Sequence, residues 1–555
     1  MKGYIESIDL NTGDESLIIK GYAFIEKENI NFPHKIKKSL VIRNKEKVYY
    51  IPTNNTLNTD VTRKFGKEKY NYDYAGFNGK VYVGYIDNME SLSEGTWEIG
   101  ICIWANGIRE ELELEYIGLA KITDEKLNYR IEDSEDIKEI NLLNEEKNIC
   151  IQSKRIKYDN EKEYDIKNKK ISGLDKIHKK ILKKKRSFGN RLLQNIYKIT
   201  NKMNIKSDRV TFLSDSRVDF SGNFEFIKKE LDKRGGYEIK SMLKESIQAE
   251  RSLKEMIKMV YYISTSRYVL LDDYYPQIYK FKIRDGVEVV QLWHATGAFK
   301  TFGFSRVGKK GGPKFKSKNH RNYTKAIVSS ENIKVHYAEA FGIEEKKILG
   351  TGVPRTDIFF DEEYKERVTK NLYEKYPVLK DKKIIMFAPT FRGAGQKTAY
   401  YDFHKFDIER LQKKFGDEYK LIIKLHPFIN NTFEIKDSFK DFVVDLSEER
   451  EINDLLFISD ILITDYSSVC FEYSLLNKPM IFFAYDLDEY IADRDFYYPY
   501  ESFVPGAIVK DMDELVKVIE EEKFESEKLE RFRENFFDHF DGKSTERVVD
   551  EILKV

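Results

Sequence analysis

The chain has 555 residues, 41% hydrophobic and 34% charged, with a net charge of +1. That balance excludes a disordered chain and a polycation built for nucleic acid, so attraction to anionic partners must come from local patches. Its three cysteines, Cys102, Cys150 and Cys470, are odd in number and far apart, which excludes a disulfide framework and a metal-ligand spacing.

At ~150 residues per domain the length allows about three or four domains. The amino terminus, Met1 to Ser7, lacks the apolar core of a signal peptide. No run approaches the ~18 apolar residues of a spanning helix, so the sequence predicts a cytoplasmic protein.

Residues 1–125 read as β. Stretches at 16–24, 39–51, 79–86 and 96–116 are rich in Ile, Val, Tyr and Trp, and turn signals such as Asn11-Thr12-Gly13-Asp14, Asn78-Gly79 and Asn106-Gly107 separate them. Short strands at this spacing predict an antiparallel β-sandwich, an accessory domain with no catalytic constellation. Residues 126–173 are charged and weakly patterned, as in a linker or peripheral layer. A basic helix follows over 174–204, so that 126–206 form a charged linker with an amphipathic helix. Leu174, Ile177, Ile181, Phe188, Leu192, Ile196, Ile199 and Met203 recur at helical spacing, with Lys183, Lys184, Lys185 and Arg186 among the cations between them. Two readings fit: a helix on an anionic membrane surface, and a helix docked on the protein with a solvated face. Gly189-Asn190 is a point where it can divide.

From 207 the pattern alternates strand and helix, which predicts parallel, doubly wound sheets. The first series has strands at 209–213, 268–271, 287–292, 326–329 and 347–349. A second, after Pro377, has strands at 383–388, 419–425, 442–445, 461–464, 480–483 and 507–509. The fold class is therefore α/β: an N-terminal Rossmann-like domain at 207–376 and a C-terminal one at 377–555. The pair resembles the GT-B class of transferases.

Ligands in such sheets sit beyond the carboxyl ends of the strands. Ser214-Asp215-Ser216-Arg217 follows the first strand, with Ser221-Gly222-Asn223 opening a helix beyond it. Asp272 and Asp273 follow Leu271, and Trp293-His294 follows Leu292. Gly350 to Asp357, which includes Arg355, follows Leu349. In the second series Thr390 and Arg392 follow Ala388, His426-Pro427 follows Leu425, and Asp465 to Ser468 follows Thr464. Each has a bland reading as cap or turn. Of eight histidines, only His294 and His426 directly end predicted central strands, one in each domain. Cations, hydroxyls and two histidines suit phosphoryl transfer. Arg392 can grip phosphate bidentately, Ser467 and Ser468 can cradle pyrophosphate at the helix they open, and histidine can take a proton near neutral pH. No Walker loop or kinase motif set points to ATP.

Trp293-His294-Ala295, Gly352 to Asp357, Ala388 to Arg392, His426-Pro427 and Thr464 to Ser468, with Lys478-Pro479 and Tyr485 to Asp488, resemble the CDP-glycerol glycerophosphotransferase family. Ser214 to Arg217, Ser221 to Glu225, Gly297 to Thr301, Gly303 to Arg306 and Gly308 to Pro313 bring the likeness nearer to the ribitol-phosphate polymerases of wall teichoic acid. The resemblance covers about 205–555 and is weak before it.

It implies transfer of ribitol phosphate, or glycerol phosphate, from CDP-ribitol or CDP-glycerol to a lipid-linked teichoic acid chain. CMP leaves, and the work is done peripherally on the inner membrane face. It implies His294 as general base and His426 as a phosphate ligand or second proton-handling group. Thr390, Arg392, Asp465, Ser467, Ser468 and Glu472 would form the nucleotide side of a CDP-alditol-binding C-terminal domain. Ser216, Arg217, Gly222, Asn223, Lys300, Arg306, Arg355 and Asp357 would form the acceptor or phosphate side. Ala295 stands where the glycerol enzymes usually have glycine, which tilts the polyol towards ribitol. No resident cofactor or metal is implied, though Mg²⁺ can arrive with the substrate phosphates, and a homo-oligomer is compatible with the sequence. The alternatives are a GT-B glycosyltransferase using a nucleotide sugar and a non-enzymatic, membrane-associated polyanion-binding protein.

Overall fold

A computed structural model describes the chain except residues 12–14, 85, 87–90, 106, 118–126, 131–136, 146–147, 158–176, 245–248, 308, 310–311, 394–397, 432–434 and 555. The side chains of 11, 34, 128–130, 144–145, 177–188 and 492–493 are also outside the description. The turn signals at 12–14 and 106, loop residues 308, 310 and 311, and the start of the basic segment therefore lie outside the described residues.

The N-terminal sheet closes on itself. Gly95–Ala105 pairs with Ile36–Arg43 along one edge and with Asn148–Ile156 along the other. The ring passes through Val48–Thr56, Gly76–Val81, Ser16–Phe24, Lys2–Asn11 and Glu115–Tyr116. The expected sandwich is thus a barrel-like closed sheet, with Ile108–Glu113 and Leu127–Arg130 as its remaining edge strands among the described residues. Leu17, Ile19, Leu40, Ile42, Ile99 and Ile101 fill its interior.

The stretch read as linker contributes three strands, Leu127–Arg130, Ile137–Glu145 and Asn148–Ile156. Their inward residues, including Leu127, Ile140, Ile149 and Ile151, are buried with the barrel core. Flanking charges hide that short alternation in the sequence. Two barrel strands are buried on both faces, because Val41, Cys102 and Trp104 pack outward against Val335 of the helix Lys334–Phe341.

The helix Ile177–Thr200 runs unbroken through Gly189-Asn190. Its last turns are docked: Leu193 and Tyr197 are buried in the core of the following sheet, and the Tyr197 hydroxyl donates to the Lys282 carbonyl at 2.9 Å. The buried face is set by Leu193, Ile196 and Tyr197, whereas Ile199 and Met203, expected on it, are exposed.

Two six-stranded parallel sheets follow. The first runs Glu238–Met242, Lys206–Leu213, Ser266–Leu271, Glu288–Gln291, Lys325–Ile327, Ile348–Leu349. The half-exposed edge strand Glu238–Met242 has too little apolar content to be read from sequence. The second runs Val443–Asp445, Tyr419–Ile423, Lys383–Phe387, Ile461–Thr464, Met480–Phe483, Ala507–Val509. Its chain order, 3-2-1-4-5-6, reverses between Lys383–Phe387 and Ile461–Thr464, where a crevice opens at the strand ends.

The last helix, Ser544–Glu551, does not stay with the second sheet. Val548, Val549, Ile552 and Leu553 pack on Val210 and Leu270 of the first and on Phe224 of the helix Asn223–Arg234. Among the described residues no helix is long and apolar enough to cross a membrane.

Candidate active site

The strand Glu288–Gln291 leads into Trp293, whose φ of +54° turns the chain sharply out of the sheet. The turn is held by short bonds: the Trp293 amide donates to Gln291 Oε1 at 2.9 Å, and the Asn223 amide donates to the Trp293 carbonyl at 2.6 Å. Trp293 stays buried, and its ring lies 4.5 Å from the imidazole of His294, which is turned outward. Gly297, at φ +72°, then approaches the other lobe so closely that a Cβ would sit 2.2 Å from the Phe471 ring. Only glycine fits both the backbone and the contact.

His294 Nδ1 lies 3.2 Å from Asp273 Oδ1. Burial acts to raise the Asp273 carboxyl, but the hydrogen bond and charge of His294 outweigh it and hold the carboxyl below its usual range. The carboxylate fixes a proton on Nδ1 and leaves Nε2 as an open acceptor. Asp272 faces the other way and pairs with Arg217, as adjacent residues at a strand end do.

His426 has the opposite bonding. Its Nδ1 accepts from the Phe428 amide at 3.1 Å, so the neutral ring carries its proton on Nε2. The ring packs against Phe391 and Phe428, each 4.9 Å away. Burial, reinforced by the charges of Lys300 and Lys424, pulls its pKa down to about 4.

Both histidines line one cleft of about 260 Å³, with Arg355, Lys424, Arg450, Ser467, Ser468 and Glu472. At the cleft, polar ties cross from one sheet's loops to the other's. Glu472 Oε1 accepts from Arg355 Nη2 at 3.0 Å and from Thr296 Oγ1 at 2.9 Å. Arg450 forms a bidentate pair with Asp219, both bonds 2.7 Å. Arg355 also donates to the His294 carbonyl at 3.0 Å, and its amide donates to Asn223 Oδ1 at 3.0 Å. The Glu472 braces and the backbone of His294 thus form one network.

Other expected residues are placed differently. Arg392 is buried and fully engaged: Nε and Nη2 grip Asp486 at 2.6 and 2.8 Å, while Nη1 donates to Asp465 and the Thr390 carbonyl. Four tyrosine rings, of Tyr401, Tyr466, Tyr485 and Tyr490, surround it. It has no fork left for phosphate and does not line the cleft. Asp465 is likewise enclosed, accepting from the amides of Thr390 and Tyr466.

Asp357 accepts from the amides of Ser544 and Thr545, at 2.9 and 2.8 Å, and so caps the returning C-terminal helix. Gly222 packs on the Arg217 guanidinium, where a Cβ would sit 2.5 Å from Nη2. Ser216 lies beside Ser214, and its hydroxyl contributes to the setting of Asp273. Lys300 is packed near Tyr490, and burial brings its pKa down to about 8. Arg306 lines a different cavity.

Asp273, Lys424 and Arg450 were not among the sequence-predicted site residues. Asp273 carried a signal, since it stands at a strand end. Arg450 carried none, being one charge in the run Glu448-Glu449-Arg450-Glu451. Among the described residues no group of three or more His, Cys, Asp or Glu could hold a metal ion.

Two parallel sheets whose strand-end loops enclose a histidine-lined cleft define a two-lobed α/β protein with its candidate site between the lobes. The chain belongs to the CDP-Glycerol:Poly(glycerophosphate) glycerophosphotransferase family, which it matches over residues 195–554. It is 54% identical to the teichoic acid poly(ribitol-phosphate) polymerase of Bacillus spizizenii, over 64% of this chain and 58% of that one. It is 45% identical to the teichoic acid ribitol-phosphate polymerase TarK of Staphylococcus aureus, over 67% of this chain and 74% of that one. A solved histidine-to-asparagine variant of the wall teichoic acid polymerase TagF is 26% identical with a TM-score of 0.55, covering 67% of this chain and 96% of that one. The chain thus spans less than two thirds of the first of these relatives.

Proposed function

We propose that this protein transfers alditol phosphate, ribitol phosphate in preference to glycerol phosphate, from a CDP-alditol to the hydroxyl end of a lipid-linked teichoic acid chain. The observation that carries the reading is the pair of histidines on one cleft in opposite hydrogen-bonding states. The attacking hydroxyl oxygen forms a new bond to the alditol-bearing phosphorus and gives its proton to His294 Nε2. The bond from that phosphorus to the bridging oxygen breaks, and CMP leaves with the electron pair. Asp273 steadies the imidazolium as it forms. His426, neutral near pH 7, donates from Nε2 to a phosphoryl oxygen, where charge builds in the transition state. Ser467 and Ser468 face the donor phosphates, and the Arg355–Glu472 pair sets the loop that carries His294.

The family membership supports a CDP-alditol donor, and the names of the relatives support ribitol. In this reading the two sheets are the lobes of a GT-B-like transferase, and the closed N-terminal sheet is an accessory domain. The lysine-rich start of the helix Ile177–Thr200 meets the anionic inner face of the membrane. The test offers purified protein CDP-ribitol, CDP-glycerol and UDP-sugars with a teichoic acid acceptor. Release of CMP, fastest from CDP-ribitol, is expected. Consumption of a UDP-sugar with neither CDP donor touched would overturn the reading.

A further inference from the structure

The barrel-like sheet and the two lobes meet at a second cavity, of about 600 Å³. Lys37 and Asn54 come from the barrel, Arg306 and Lys309 from the loop after His294, and Asp495 and Tyr498 from the second lobe. It shares no residue with the histidine cleft. A short strap divides the two: the Thr301 amide donates to the Asp495 carbonyl at 2.8 Å, and the Tyr497 amide to the Phe299 carbonyl at 2.9 Å. Lys300, on this strap, is close enough to His426 to depress its pKa, while the Asp495 side chain faces the new cavity.

Two cations crowd one carboxylate there. Lys37 Nζ lies 3.5 Å from Asp495 Oδ2, and the Lys309 ammonium binds the same oxygen. Two ammonium groups therefore share one carboxylate, and Lys37 is only 8% exposed. Burial and then Lys37 pull the Lys309 ammonium below its usual range, against the opposing pull of Asp495 and the buried Glu339 carboxylate. The other acid of the wall, Asp488, is on the exposed rim, where water and salt screen it. Lys37, held from water with a carboxylate it must share, gains from an anion that joins it. A phosphodiester carries one negative charge, and Asn54 and the Asn55 Oδ1, buried without a hydrogen-bond partner, can meet polyol hydroxyls. Asn54 also lines an adjoining cavity of about 250 Å³ walled by Tyr49, Tyr82, Phe304 and Phe315. A chain seated in the first cavity can continue along these rings.

We propose that this junction is a second binding site for the polyol-phosphate chain, with Lys37 and Lys309 flanking one phosphodiester away from the point of transfer. The barrel-like sheet then serves as a holder of the growing acceptor. The inference rests on the transferase reading above.

The test compares kcat/KM for a long-chain acceptor and a one-unit acceptor in wild type, K37Q/K309Q and K37R/K309R, with thermal unfolding run on each. The glutamine variant should lower the long-to-short ratio by about tenfold, and the arginine variant should keep most of it. An equal ratio in wild type and the glutamine variant overturns the proposal. If wild type releases no CMP from either CDP donor, the transferase reading fails and equilibrium titration with a lipid-free polyol-phosphate chain decides the site alone. Binding that the glutamine variant weakens supports it, and equal or absent binding sinks it. Should the glutamine variant not fold, Asp495→Asn is the substitute. Removing the shared carboxylate should tighten chain binding several-fold, and unchanged or weaker binding counts against the site.

Discussion

Asp273→Asn keeps the size of the side chain and removes the charge that faces His294. The two atoms are 3.2 Å apart. If His294 gains a proton during transfer, a carboxylate at that distance contributes about 5 kcal/mol at an effective dielectric of ~20 and about 1.3 at ~80. Asp273 is 35% exposed and His294 46%, so water screens the pair and the lower end applies. A contribution of ~1.4–2.7 kcal/mol predicts that kcat falls by ~10- to ~100-fold. KM should move little, because the interaction strengthens only as charge develops on the imidazole. The assay is CMP release at saturating CDP-ribitol and acceptor. His294→Ala should cost ~10²–10⁴ on the same assay. Adding Asp273→Asn to it should cost almost nothing more, since the partner is already gone. Turnover of Asp273→Asn within twofold of wild type, or effects that multiply in the double variant, would refute the dyad.

Arg392→Met should destabilise the fold by ~3–5 kcal/mol, because it takes the cation from the buried carboxylate of Asp465 and the largely buried one of Asp486. Urea unfolding measures this; unchanged stability with a raised donor KM would restore Arg392 to the phosphate site. Acid should weaken the protein between the ordinary imidazole pKa of 6.5 and about 4, the folded value for both His426 and His320. The unfolded chain binds these protons more readily, so stability is full above pH 6.5 and is lost as pH falls towards 4. His320→Gln should flatten that slope in unfolding measured from pH 7 to pH 4, and an unaltered slope would dismiss His320 as a source. Neutralising Lys183, Lys184 and Lys185 together should weaken sedimentation with anionic vesicles in a salt-dependent way. Unchanged sedimentation would leave only the docked role of the helix, carried by Leu193 and Tyr197.

Hydrophobic rhythm made both parallel sheets legible, because a buried parallel strand needs a short apolar run whatever surrounds it. Strands such as Ile461–Thr464 and Met480–Phe483 fall where that rhythm puts them. The same rhythm places His294 and His426 just beyond strands of different sheets, and parallel strands send their carboxyl ends one way. Closure of the N-terminal sheet was not legible, since it depends on Gly95–Ala105 finding Asn148–Ile156 across a stretch of charged sequence. Nor was the return of the last helix to the first sheet, which is settled by the cap from Asp357.

A residue at a strand end has the same local sequence whether it turns into the cleft or into its own lobe. Arg392 turns inward because Asp486, 94 residues away, completes its hydrogen bonds. Asp273 turns outward because Arg217 has taken Asp272 on the other side. The chain's own pattern therefore determined which two imidazoles could meet. Long-range pairing of charges, which no local window contains, decided which acids and cations would stand beside them and which would only hold the lobes in shape.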